Sequence, residues 1–278
     1  MTSFPSHESQ VQELLDRYTR IGFQPPDWAF PLAPSIPFVG KEYARTSPRI
    51  AAYASAENLS HYQRGSEPWP SFLQDERRFN RHRGNLEWQK EKDKNLEDEK
   101  KSFFPQVHIA PVENGGLLCA LLYFWTRILE LQPPTTPYAF IESLVVGNVG
   151  KFSIETHGGP YQDYAGDSEK TGPSLPYFKA DLEVLRPDYL LLPKKIYELE
   201  EVRTCVPKGM QVLPLMQFAP QVLNIHLASL NSQAEALQAN HQNDLLAQWT
   251  ERIKGTNPSA AFRYFAHLKE VAEKENQK

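Results

Sequence analysis

The chain has 278 residues, 40% hydrophobic and 23% charged, with a net charge of −4, which excludes wholesale disorder and a surface coated uniformly in positive charge. Cys119 and Cys205 are the only cysteines, too few for a disulfide framework, so a reducing cytoplasm is the expected compartment. The start lacks a basic segment ahead of an apolar run, and the longest uncharged apolar stretch has 11 residues against the roughly 20 that cross a bilayer, so neither a signal peptide nor a membrane span is expected.

In chain order, SHESQVQELLDRYTRIGF carries Val11, Leu14, Leu15, Tyr18 and Ile21 at helical spacing, with Ser6 as cap. QPPDWAFPLAPSIPFVG follows with five prolines and should be extended and irregular, packed on the body through Trp28, Phe30, Phe38 and Val39. Residues 50–54 read as a buried strand. Residues 64–104 are highly charged and read as an insertion or a solvated helix; within them RRFNRHR, residues 77–83, holds four arginines and no acid. QVHIAPV reads as a short strand or an extended entry. GGLLCALLYFW opens a buried helix that ends before Pro133, with Cys119 as a small core hydrophobe. Further strands are expected at 141–146, 188–192 and 211–217, alternating with helices in PYFKADLEVLR and KKIYELEEV. Residues 221–278 read as C-terminal helices packed on the domain, the last opening on Asn257 as cap and Pro258.

Four continuous apolar strands alternating with helices predict one α/β domain over residues 1–278: a central parallel four-stranded sheet between two helical layers. Ligands of such sheets bind outside the carboxyl ends of the strands. Those exits read SAENLSHY, GNVGKFS, PKKIYE and QFAPQVLNIH, so Glu57 and Asn58 are expected to face a pocket.

The order of these exits resembles the uracil-DNA glycosylase superfamily, over residues 35–228. The resemblance implies a three-layer α/β/α fold, no cofactor or metal, and DNA, single- or double-stranded, as partner. It places Glu57 and Asn58 at the water-positioning motif after the first strand, and Tyr62 at the aromatic that crowds the pyrimidine ring. Phe104, in FFPQVHIAPVENGGLL, takes the position of the base-stacking aromatic, and Asn148, in VVGNVGKFS, that of the pyrimidine-reading asparagine. LRPDYLLLPKKIYE is similar to the penultimate strand. Gln217 to Pro220 fall where a His-Pro-Ser-Pro loop would begin. The first loop lacks the family's Gly and Pro, and Gln217 stands in place of its histidine. A divergent glycosylase for a modified pyrimidine is therefore expected, acting in repair or in antiviral defence against phage DNA bearing bulky cytosines. An inactive nucleic-acid or nucleotide binding module with the same fold is the alternative.

Chemically, N-glycosidic hydrolysis needs a held water and stabilisation of the departing base. Glu57 can serve as base or electrostatic partner, and Asn58 can orient water through its carbonyl; either can hold the role. Asn148 offers a donor and an acceptor to a base edge, Gln217 a neutral hydrogen bond to the leaving group, and His226 a second leaving-group contact. Arg77, Arg78, Arg81, Arg83 and Lys151, with Lys194 and Lys195, are candidates for phosphates. Each has a plainer structural reading: a helix-start carboxylate for Glu57, a turn residue for Asn148, a strand cap for Gln217, a structural histidine for His226 and a solvated loop for the arginines. The histidines form no HxH or HExxH group, and no G-x-G-x-x-G, P-loop or G-x-S-x-G pattern occurs.

Overall fold

The computed structural model describes residues 6–22, 24–29, 32–56, 82–84, 86–87, 116–152, 166–217, 222–242, 244–253 and 258–277. Helix α1 (His7–Ile21) forms as its spacing predicts: the Ser6 hydroxyl accepts from the Ser9 N–H at 3.2 Å, and Gly22, at φ 99°, closes the last turn onto the Tyr18 carbonyl.

The sheet has five strands among the described residues, in the order β1 (Phe38–Val39), β3 (Val145–Gly150), β2 (Ile50–Ala56), β4 (Tyr189–Pro193) and β5 (Gln211–Leu215). The expected count of four is thus corrected. Strands β2 to β5 are parallel, and β1 adds an antiparallel edge, Phe38 opposite Val146. That edge comes from the proline-rich stretch, whose residues 32–40 are all buried. Gly40 makes its close approach possible, since a Cβ there would lie 2.1 Å from the Glu142 carbonyl oxygen.

Helices cover both faces of the sheet. Ile50, Ala52, Val146, Leu191 and Leu213 point to one side, onto α2 (Gly116–Tyr123), α3 (Pro137–Ile141), α5 (Asn231–Asn240), α6 (Leu245–Thr250) and α7 (Pro258–Asn276). Ala51, Tyr53, Val145, Leu190 and Val212 point to the other, onto α1 and α4 (Leu175–Leu185). The alternation is the pleat read off directly. α2 passes into a five-residue π-type turn at Phe124–Ile128, and the C-terminal region is broken into α5 and α6, with a second such turn at Val222–His226.

The strand predicted at 141–146 is displaced. Thr136 caps a short helix there, its hydroxyl accepting from Ala139, and Pro137 opens it, so Ile141 is helical and β3 starts only at Val145. Gly147 and Asn148 therefore lie inside β3 and not at its exit. Gly147 is required by packing: a Cβ would lie 2.8 Å from Pro37 and 3.0 Å from the Tyr53 ring.

Within the charged region, residues 82–84 and 86–87 are helical and docked on the body. Leu86 joins the core beside α2, and His82 is buried.

Candidate functional site

β2 lies between β3 and β4. The connection out of β2 leads to β3 on one side, and the later connections run to β4 and β5 on the other. Such a reversal marks the carboxyl ends of β2 and β4 as the usual ligand position in open parallel sheets. β2 ends at Ala56 and β4 at Pro193.

Asn148 lies on β3, next to β2 and near the same carboxyl ends. It pairs in register with Ala54 of β2, two residues before each strand ends, and is 3% exposed. Among the described residues, neither its Oδ1 nor its Nδ2 has a hydrogen-bond partner. A buried amide left unpaired costs about 1–3 kcal/mol, and unpaired buried groups in folded proteins call for an explanation. Its neighbours on β2 and at the end of β3 are small: Ala54, Ala56 and Gly150.

At the other exits, Lys194 and Lys195 are exposed immediately after β4, Lys194 sharing a surface ion pair with Glu198 at 3.8 Å. Gln217 is half-buried two residues beyond β5, and His226 is exposed at the end of the Val222–His226 turn. Asn148 and Gln217 are not brought together: β2 and β4 separate their strands, three spacings or roughly 14 Å. Glu57, Asn58, Tyr62, Phe104, Arg77, Arg78 and Arg81 lie outside the described residues.

Two candidate phosphate contacts are corrected. Lys151 is 2% exposed, on the opposite face from Asn148, and donates to Asp181 of α4 at 2.5 Å. Tyr18 of α1 donates to the other carboxylate oxygen at 2.8 Å, and Ser174 holds the Lys151 backbone N–H. Burial pushes the Asp181 carboxyl up, against the pull of Lys151, and pushes the Tyr18 hydroxyl well above its ordinary value, aided by the charge on Asp181. This cluster joins β3, α1 and α4 beneath the surface.

Arg83 is likewise engaged. It donates to both Glu142 oxygens at 2.7 and 3.0 Å and to the Val39 carbonyl at 2.6 Å, with its guanidinium 4.2 Å from the Phe38 ring centre. It ties the charged region to β1. Arg83→Met should lower stability by about 1.5–3 kcal/mol, as expected for hydrogen bonds to charged groups. The salt slope of any DNA binding should stay unchanged; urea midpoints and binding titrations at two ionic strengths check both.

The residue that sequence reasoning passed over is His267 of α7, which reaches the β5 exit. Its Nε2 accepts the Met216 N–H at 3.2 Å, next to Gln217. Only its interruption of the apolar run FRYFAHL marks it in the sequence. Among the described residues there is no group of three or more side chains able to hold a metal ion, and no helix long and apolar enough to cross a membrane. No family model, curated protein or solved structure matches the chain.

Proposed function

We propose that the chain hydrolyses the N-glycosidic bond of a flipped, modified pyrimidine in DNA. The observation that supports this best is Asn148: a buried amide with donor and acceptor both unpaired among the described residues, near the carboxyl end of a parallel sheet. Such an amide complements the paired donor and acceptor of a pyrimidine edge, and a base displaced from its stack is what a buried reader requires. A glycosylase-type three-layer arrangement belongs to the same proposal, supported by helices on both sides of four parallel strands.

In this reading Glu57 or Asn58, just past the end of β2, holds the attacking water on the sugar side of the base. Gln217, three strand spacings from Asn148, contacts the DNA beside the flipped base from the β5 exit. Lys194 and Lys195 neutralise backbone phosphates. Ile225, 70% exposed on the turn after β5, supplies an apolar wedge of the kind that fills a vacated stack.

The test uses the full chain with single-stranded and duplex oligonucleotides carrying uracil, 5-hydroxymethylcytosine or glycosylated 5-hydroxymethylcytosine, followed by alkaline cleavage of abasic sites. Scission at one modified base, lost in Glu57→Gln or Asn58→Ala, is the expected result. Activity on uracil alone would remove the modified base from the proposal. The roughly 14 Å between the Asn148 and Gln217 strands favours a second reading, a binding module without catalysis. Salt-sensitive binding with every glycosidic bond intact would select it.

A further inference from the structure

β5 ends at Leu215, and no further strand pairs beyond it among the described residues. Both backbone groups of Met216 are nevertheless satisfied, by two side chains one turn apart on α7. Tyr264 Oη donates to the Met216 carbonyl at 2.8 Å, and the Met216 N–H donates to His267 Nε2 at 3.2 Å. Tyr264 is buried and His267 half-buried, their rings edge-on with centres 6.1 Å apart. Gln217 is the next residue along the chain.

We infer that His267 is a positioning residue: its neutral imidazole fixes the backbone that leads into the Gln217 segment, and its protonation releases that backbone. Nε2 accepts only while it carries no proton, so the hydrogen of the neutral ring sits on Nδ1. Imidazolium would aim an N–H at the Met216 N–H, which converts an attraction into a clash of two donors. The charged groups around the ring are Glu270 and Lys274 on α7 and Lys194 at the β4 exit. Burial is the main influence and holds the imidazole below its ordinary value; Glu270 opposes this, and Lys274 and Lys194 add to it.

The sign follows from proton counting. The folded chain binds this proton less readily than the unfolded one, so the clamp's contribution is complete above an ordinary histidine value of about 6.5. It declines as pH falls from there through the lower value of the folded state. The consequence for excision rests on the proposed activity; the clamp itself does not.

The experiment follows the Met216 amide resonance of the isotopically labelled full chain between pH 7.5 and 4.5, beside the ring signals of His267. The amide should shift along the same titration curve as the ring. His267→Gln, which keeps an acceptor that does not titrate, should hold the amide at its neutral position throughout. His267→Leu should show at pH 7.5 the amide position that the unsubstituted chain reaches only in acid. In the excision assay, the unsubstituted chain should lose rate about tenfold per pH unit below the His267 midpoint. His267→Gln should move that acid limb to lower pH. A Met216 amide indifferent to the His267 titration would overturn the clamp whether or not any base is excised. An amide that titrates alongside an unmoved acid limb would overturn its role in the site.

Discussion

Replacing Asn148 with leucine is expected to stabilise the fold and to remove activity together. In the free protein the Asn148 amide has exchanged water for a buried place with no partner at either end among the described residues, a cost of about 1–3 kcal/mol. Leucine keeps the branching of the amide at somewhat greater volume and has nothing to desolvate, and its neighbours on that face, Val146 and Ala52, are core residues. The denaturation midpoint should therefore rise. Excision should fall by about 10²–10³-fold, the usual loss when one preorganised hydrogen-bonding group is removed from a reacting site. A structural asparagine behaves the other way, since its removal breaks bonds that the folded chain was using. Lower stability in Asn148→Leu, or unchanged excision, would separate this residue from the chemistry.

The second large effect is expected at the Lys151–Asp181 pair. Both side chains are essentially sealed from solvent, so each ion depends on protein groups, the opposite charge first and Tyr18 beside it, for what water would have supplied. Lys151→Met leaves a buried carboxylate facing two phenols, Tyr18 and Tyr53, and no cation; Asp181→Leu leaves a buried ammonium. Each single change should cost roughly 3–5 kcal/mol. The double replacement removes both charges and should recover most of that loss, and it can exceed the original stability by about 1–4 kcal/mol. Tyr18 retains the Ser35 carbonyl at 3.5 Å as an acceptor in that variant. Urea denaturation of the four chains in a cycle measures the coupling. Additive single effects would mean that the two groups do not act as a pair.

The chain's periodic and punctuated segments were legible. α1 follows from its apolar spacing and Ser6, and β2, β4 and β5 follow from short apolar runs between turn signals. The displaced strand had a signal too: Thr136-Pro137 is the same cap-and-proline start that marks α7, placed just ahead of a run apolar enough to pass for a strand. Gly147 was misleading because glycine serves both as strand punctuation and as a packing necessity, and the Pro37 ring and the Tyr53 ring opposite distinguish the two. β1 is two residues long and exists only because β3 is there to receive it.

The site was less legible because its side chains find partners far along the sequence. Lys151 reads as a solvent-facing charge at a strand exit until α4 delivers Asp181, 30 residues later, to its ammonium. Arg83 reads as part of a basic cluster until Glu142, 59 residues away, takes its guanidinium. His267 meets a backbone N–H, which leaves no residue-type signature at all. Asn148 stands out in the sequence only through its place in VVGNVGKFS, and its depth in the strand depends on where β3 begins.

The two borders of the sheet share a property that matters outside the cell's normal concentrations. At one border, the Val39 carbonyl accepts from Arg83 and from His7 Nε2 at 3.1 Å, beside a strand only two residues long. At the other, Pro214 has no N–H to offer, and α7 occupies the backbone of Met216. Neither margin presents an uninterrupted row of donors and acceptors on which a foreign strand could grow, so self-association by strand addition is blocked at both ends.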